Sequence, residues 1–303
     1  MSFWKNPRSN RHAALQWGRR VVRALPFVLQ EVNERMLNRA QIMRPVEGGV
    51  VHQGWLHPDA LAGVRLLFAG RSLAVLAAQP IELPPEETER AADSFLAKLW
   101  PGRSSKLKVD RSLVVQAGQS LPFSDASQAM VWSPLWLHGV EDPTYQLSEW
   151  LRILKPEGGV FFSCFGPDTA KELHAFARHL GVSFPDFADM HDWGDLMSKH
   201  GFSDPVMEME KLTLTYADAG KLLADWRALA GNVLAEKSPG LLGKAAYQQA
   251  LDALKDQRDP DSGRLSLTLE LVYGHAWKVN RKPRGDVSAV KISDIGGRRS
   301  SNK

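Results

Sequence analysis

The sequence predicts an α/β fold: a doubly wound, mostly parallel sheet with helices on both faces and a helical insertion late in the chain. Three observations predict it. Short apolar runs alternate with segments of helical period from residue 27 to residue 165, giving a repeating βαβ order. The run EGGVFFSCFG is apolar almost throughout, as a strand covered on both faces must be. The intervening segments have the length of crossover helices, so successive strands run the same way.

The elements follow in order. Val28, Val32, Met36 and Ala40 recur every fourth residue beside Leu29 and Leu37, which makes PFVLQEVNERMLNRA an amphipathic helix with Pro26 near its start. GGVV begins a buried strand. HPDALAGVRLLFAG reads as a helix opened by Pro58 and stopped by Gly70, and SLAVLAA as the second strand. After Pro84 and Pro85, ETERAADSFLAKLW puts Ala91, Phe95 and Leu99 on one helical side, and KVDRSLVVQAG gives the third strand. ASQAMVWSPL is the fourth. YQLSEWLRILKP is a helix whose Leu147, Trp150, Leu151 and Leu154 keep the i, i+3, i+4, i+7 rule. From about Thr169, helices (DWGDLMSKHGF, AGKLLADWRALAG, KAAYQQALDALKDQ) mix with strands (VMEMEKLTLTY, LSLTLELVYGHAW). HDWGD is expected to start a helix, with Asp192 as the cap and Asp195 in the first turn.

Composition places the chain among soluble proteins: 303 residues, 44% hydrophobic and 24% charged. No apolar run approaches the roughly 20 residues of a membrane helix. The net charge of +4 divides unevenly. Residues 1–24 hold six bases and no acid, residues 278–303 hold eight bases against Asp286 and Asp294, and the body from 25 to 277 holds 24 bases against 32 acids. The expected organisation is therefore a basic tail (1–24), one domain (25–277, with the insertion between about Asp218 and Asp261) and a second basic tail (278–303). Solvated ends are the simpler reading of such tails; contact with an acidic partner, such as an acyl carrier protein or another protein, is the alternative, and nucleic acid is not expected. The Arg-rich, acid-free start also fits a transit peptide, so a cytoplasmic protein is expected, with a mitochondrial one as the alternative. Cys164 is the sole cysteine, so no internal disulfide forms, and it reads as a buried, inert thiol.

LPFSDASQAMVWSPLWLHGVEDPTYQLSEWLRILKPEGGVFFSCFGPDTAKEL (121–173), DMHDWGDLMSKHGFSDPVMEMEKLTLTY (189–216) and LELVYGHAW (269–277) together carry a resemblance. They resemble the class I S-adenosylmethionine-dependent methyltransferases, and among these the BioC-like malonyl-acyl-carrier-protein O-methyltransferases of biotin synthesis. The resemblance covers about residues 27–277. It implies the Rossmann-like class I methyltransferase fold with a helical lid, S-adenosylmethionine as cofactor and an acyl-carrier-bound carboxylate as acceptor.

The resemblance also locates the cofactor positions. Where such proteins end a strand in an acid and a glycine-rich turn, this chain has VVHQGWLHPD: only Gly54 matches, His52 stands for the acid, and Leu56 and Pro58 stand for glycines. Trp55 then faces the cofactor. Gln79 stands where a carboxylate would take the ribose, Gly118 and Gln119 where the adenine is met, and Ser133 and Trp136 line the pocket. RHAALQWGRRVVRALPF lacks the Tyr that covers substrate in the resembling proteins. Loss of two carboxylates costs several kcal/mol, on the order of a thousandfold in affinity. The expected function is a methyltransferase-fold protein with weakened or lost cofactor binding, a pseudo-methyltransferase or partner protein; the alternative is an active O-methyltransferase acting on a carboxylate such as malonyl-acyl carrier protein. No catalytic side chain is assigned, because a carboxylate acceptor is already ionised and alignment does most of the work. His52, His57 and Asp59 lack further ligands at zinc-like spacing, and no metal is expected.

Overall fold

The computed structural model describes residues 26–54, 58–77, 111–115, 119–140, 142–181, 184, 186–230 and 243–279. The expected helix at 87–100 and the basic tails, apart from Lys278 and Val279, lie outside these residues, and Lys278 belongs to β7. In order come α1 (Pro26–Ala40), β1 (Gly49–Gln53), α2 (Pro58–Leu67), β2 (Leu73–Ala77), β3 (Arg111–Val114), β4 (Gln128–Ser133), α3 (Pro143–Ile153) and β5 (Leu154–Phe165). Then follow α4 (His174–His179), α5 (Met190–Lys199), β6 (Phe202–Tyr216), α6 (Ala219–Ala230), α7 (Lys244–Lys255) and β7 (Leu265–Lys278).

The strands form one sheet in the order β3-β2-β1-β4-β5-β7-β6. All neighbours from β3 to β5 are parallel, as the alternating pattern predicts. β7 runs antiparallel between β5 and β6, so β6 keeps the direction of the parallel set. Strand alternation divides the core between the two faces. Val50, Met130, Trp132, Phe161 and Tyr273 join α1, α2, α6 and α7 on one side. Val51, Val131, Phe162, Cys164 and Val272 join α3 and α5 on the other.

Ionic locks fix helices to this sheet. Arg35 of α1 reaches Glu210 of β6 at 3.0 Å and Arg39 reaches Glu208 at 2.8 Å, with the Arg39 guanidinium 4.2 Å above the Tyr273 ring. On the other face Arg152, near the end of α3, binds Glu149 and Asp125 at 2.8 Å each and donates to the carbonyls of Leu121 and Phe123. Glu149 in turn accepts from Leu121 N at 2.7 Å. Its bonds to Arg152, chiefly, hold its carboxyl down at about 2. The LPFSD and LRILKP stretches are thus two sides of one charged clasp.

One cap differs from expectation. Asp189, not Asp192, caps α5: its side chain accepts from His191 N at 2.7 Å, while Asp192 reaches back to Asp189 N and closes a capping box. The helix starts earlier than HDWGD suggests, because Met190 and His191 already have helical backbone. α6 and α7 stand between β6 and β7. They pack on the segment after β5 through Phe184 stacked on Trp226 (5.2 Å) and Phe176 against Tyr247 (6.1 Å).

Candidate functional site at the strand switch point

In a sheet of this order, connections leave β1 toward β2 on one side and β4 toward β5 on the other, opening a crevice at the carboxyl ends of β1 and β4. The residues there are Gln53 and Gly54 from β1, and Ser133, Pro134 and Leu135 from β4.

Gly54 is dictated by packing. A Cβ on it would lie 2.4 Å from the carbonyl oxygen of Pro134, so only glycine lets the two loops approach. Leu135 is fully buried with φ +46°, a left-handed backbone held by its N–H donating to Ser163 Oγ at 3.1 Å. A buried leucine in that conformation is a strained position at a site edge.

β1 turns successive side chains to opposite faces. Gln53 points toward α3, where Trp150 Nε1 donates to its Oε1 at 2.7 Å and Gln146 exchanges bonds with it at 3.1 and 3.2 Å. Its amide is consumed inside the protein. His52 points to the other face, fully buried, with neither ring nitrogen bonded to another residue. Burial pushes its pKa down to about 4, so the ring is neutral at physiological pH.

Of the pocket-lining residues expected from sequence, Ser133 is fully buried beside Phe162 with its hydroxyl unpartnered, and Trp136 is partly buried with its indole N–H likewise unpartnered. Gln119 is exposed, next to the Ser120 that supports Glu149. Trp55, Gln79 and Gly118 lie outside the described residues, as do the side chain of Pro58 and all of Leu56. The structure places Gly54 beside Pro134 at neighbouring strand ends, with Ser133 and Trp136 on the sheet face that packs α3 and His52 on the opposite face.

Sequence reasoning passes over His138. It is buried in the turn after β4, its Nδ1 accepts from Phe165 N at 3.3 Å, and the Phe165 and Phe187 rings stand 4.6 and 5.7 Å away. That bond leaves the ring proton on Nε2, and burial lowers the pKa to about 3. A lone histidine in SPLWLHG carries no spacing signal that would mark it.

Cys164 is buried in β5, and burial raises its pKa well above the ordinary thiol value, which makes it unreactive. Among the described residues no group of three or more His, Cys, Asp or Glu is placed to hold a metal ion.

Neutral polar atoms without partners stand near the carboxyl ends of β1 and β4 on both faces of the sheet, His52 on one and Ser133 and Trp136 on the other. Among the described residues at these two strand ends there is no carboxylate.

Comparison with known proteins agrees with this geometry. A methyltransferase-domain family profile matches residues 93–162. The YcgJ protein of Bacillus subtilis, a solved structure, is 16% identical with a TM-score of 0.50 over 82% of this chain and 99% of its own, a likeness of fold. Two curated proteins named malonyl-[acyl-carrier protein] O-methyltransferase are closer in sequence. That of Laribacter hongkongensis is 36% identical over 262 residues, covering 85% of each chain. That of Gallionella capsiferriformans is 38% identical over 276 residues, covering 87% of this chain and 88% of its own. Such identity over nearly the whole of both chains, on a sheet with the switch-point crevice in place, makes this chain a member of the malonyl-[acyl-carrier protein] O-methyltransferase family.

Proposed function

We propose that the protein is an O-methyltransferase that takes its methyl group from S-adenosylmethionine and passes it to a carboxylate carried on an acyl carrier protein, malonyl-acyl carrier protein being the reference acceptor. The observation that carries this reading is identity of 38% to a malonyl-[acyl-carrier protein] O-methyltransferase over 88% of that relative's length. An activity shared along a whole chain is a stronger guide than one motif.

S-adenosylmethionine, when bound, supplies an electrophilic methyl group. The chain's own part is to bind, orient and keep water out, since a malonyl carboxylate is ionised at pH 7 and needs no base. The neutral Ser133 hydroxyl and Trp136 indole N–H, on one sheet face, suit the polar edges of a nucleoside, with Gly54 letting the β1 and β4 loops approach one another. α6 and α7 stand as the lid over the acceptor side. A cytoplasmic setting suits a chain whose one cysteine is buried and unpaired. Among the described residues no helix is long and apolar enough to cross a membrane.

A second reading, a non-catalytic partner protein with weakened cofactor binding, is favoured by one observation. His52, at the position where the resemblance puts an acid, is buried and neutral, and offers no anion to the donor. Calorimetric titration with S-adenosylmethionine, followed by methyl transfer to malonyl-acyl carrier protein, separates the two. Micromolar binding with turnover supports the enzyme; absence of both supports the partner protein. Complementation of a strain lacking the biotin methyltransferase separates them in cells, since only the enzyme restores growth.

A further inference from the structure

The FGPDT and LELVYGHAW motifs stand about 100 residues apart, yet they meet at one buried carboxylate. We propose that Glu270 is a positioning residue for the acceptor, acting through the loop that leaves β5 at Gly166. The inference rests on the methyl-transfer reading above.

The loop from Gly166 to Leu173 begins at the carboxyl end of β5, the strand next to β4. A molecule seated at the switch point and extending away from β2 meets this loop first. Glu270 of β7 holds it with both backbone and side chain. Its carboxylate, on a residue 5% exposed, accepts from Asp168 N at 2.9 Å. Its carbonyl accepts from Gly166 N at 3.0 Å and from Thr169 Oγ1 at 3.1 Å, and its N–H donates back to Thr169 Oγ1 at 3.1 Å. A Cβ on Gly166 would sit 2.5 Å from Glu270 Oε1, so the glycine exists to admit the carboxylate.

The rest of the loop is fixed as firmly. Ala170 is fully buried with φ +55°, its N–H bonded to Thr268 O at 2.7 Å. Glu172 accepts from Thr268 N at 3.1 Å. Lys211, opposite Glu270 on β6, reaches Asp168 at 2.5 Å. From the insertion, Gln257 donates to Glu172 O at 3.0 Å, and Tyr247 meets Phe176 just beyond the loop. The loop is thus held on one side by β7 and on the other by the lid helices. Releasing Glu270 shifts the floor on which the lid rests and leaves the β1–β4 crevice untouched.

The test uses the full chain with S-adenosylmethionine and malonyl-acyl carrier protein. E270A is expected to raise the acceptor KM about tenfold or more, change kcat less than about threefold, and leave S-adenosylmethionine affinity unaltered. E270Q, whose amide oxygen still accepts from Asp168 N, is expected to restore the acceptor KM to within about threefold of the parent. T169V, which removes two loop bonds and keeps the carboxylate, should move the acceptor KM the same way by a smaller factor and serves if E270A does not fold. An unchanged acceptor KM in E270A and T169V, with the parent active, overturns the role of Glu270 alone. So does an equal loss of donor binding, since the effect would then be general. A parent chain that neither methylates nor binds malonyl-acyl carrier protein by calorimetry overturns the functional reading, and this inference with it.

Discussion

The switch-point crevice and the β5–β7 boundary lie close together in one sheet and treat buried polar groups in opposite ways. At the crevice the buried groups are neutral and unpartnered: His52, the Ser133 hydroxyl and the Trp136 indole. At the boundary the buried Glu270 carboxylate is charged and bonded to the Gly166–Thr169 loop, with the part-exposed Glu172–Thr268 and Asp168–Lys211 contacts beside it. An unpaired buried polar group costs stability, while a paired one roughly breaks even. The boundary is therefore complete without a ligand. The crevice keeps buried polar atoms that still lack partners.

The largest expected effect tests whether the crevice depends on close backbone approach. In Gly54→Ala the new methyl meets a main-chain carbonyl, which cannot swing aside as a flexible side chain does. A loss of about 3 kcal/mol or more is expected in urea unfolding. A loss under about 1 kcal/mol would show that the β1 and β4 loops separate easily, and would remove the contrast.

Acid sharpens the comparison next. His52 and His138 have folded pKa values near 4 and 3, below the ordinary 6.5. The unfolded chain binds their protons first, so the stability they contribute is whole above about 6.5 and falls as the pH drops toward 3. At the acid end His52 accounts for about 3 kcal/mol and His138 for about 5 kcal/mol. Glu149, held near 2 by Arg152, adds a loss that begins only below about 4.5. His52→Leu should therefore lower the slope of the unfolding free energy between pH 6.5 and 4.5, where Glu149 is silent and His138 supplies the rest. A slope unaltered by that substitution would mean the ring is not buried neutral.

The same contrast marks what is legible in the sequence. The described parallel strands β1 to β5 fall where apolar runs predict them, because burial on both faces writes itself as unbroken Val, Leu and Phe. The place of β7 between β5 and β6 is not legible, since strand order depends on pairing between segments some 100 residues apart. The DWGD pattern points to Asp192 as a cap, whereas the box uses Asp189. Gly54 is found by its register, but its partner Pro134 is not, and neither is Glu270, whose contacts are with a distant loop. Local periodicity reports burial; it does not report which buried groups meet.

Arg152 offers a smaller effect on the ionic side. Arg152→Ala removes bonds to Glu149, Asp125 and two carbonyls at once, and leaves Glu149 with Leu121 N and Ser120 as partners. A cost of about 2–3 kcal/mol is expected, with the Glu149 carboxyl titrating higher. Arg152→Lys should recover little, because one ammonium cannot fork to the same set. Equal recovery by lysine would mean that charge alone, not geometry, ties LPFSD to α3.

The smallest effect is the cap of α5. Asp189→Ala leaves His191 N without its 2.7 Å acceptor and opens the capping box, at a cost of about 1 kcal/mol. α5 packs on β6, on the sheet face that also carries Trp136 and away from His52, so any change in ligand binding at the crevice should be small. Asp192→Ala breaks the reciprocal bond alone, measured at 3.3 Å, and should cost less. If Asp192→Ala proved the costlier of the two, the helix would start where HDWGD suggests, and the boundary drawn from Asp189 would be wrong.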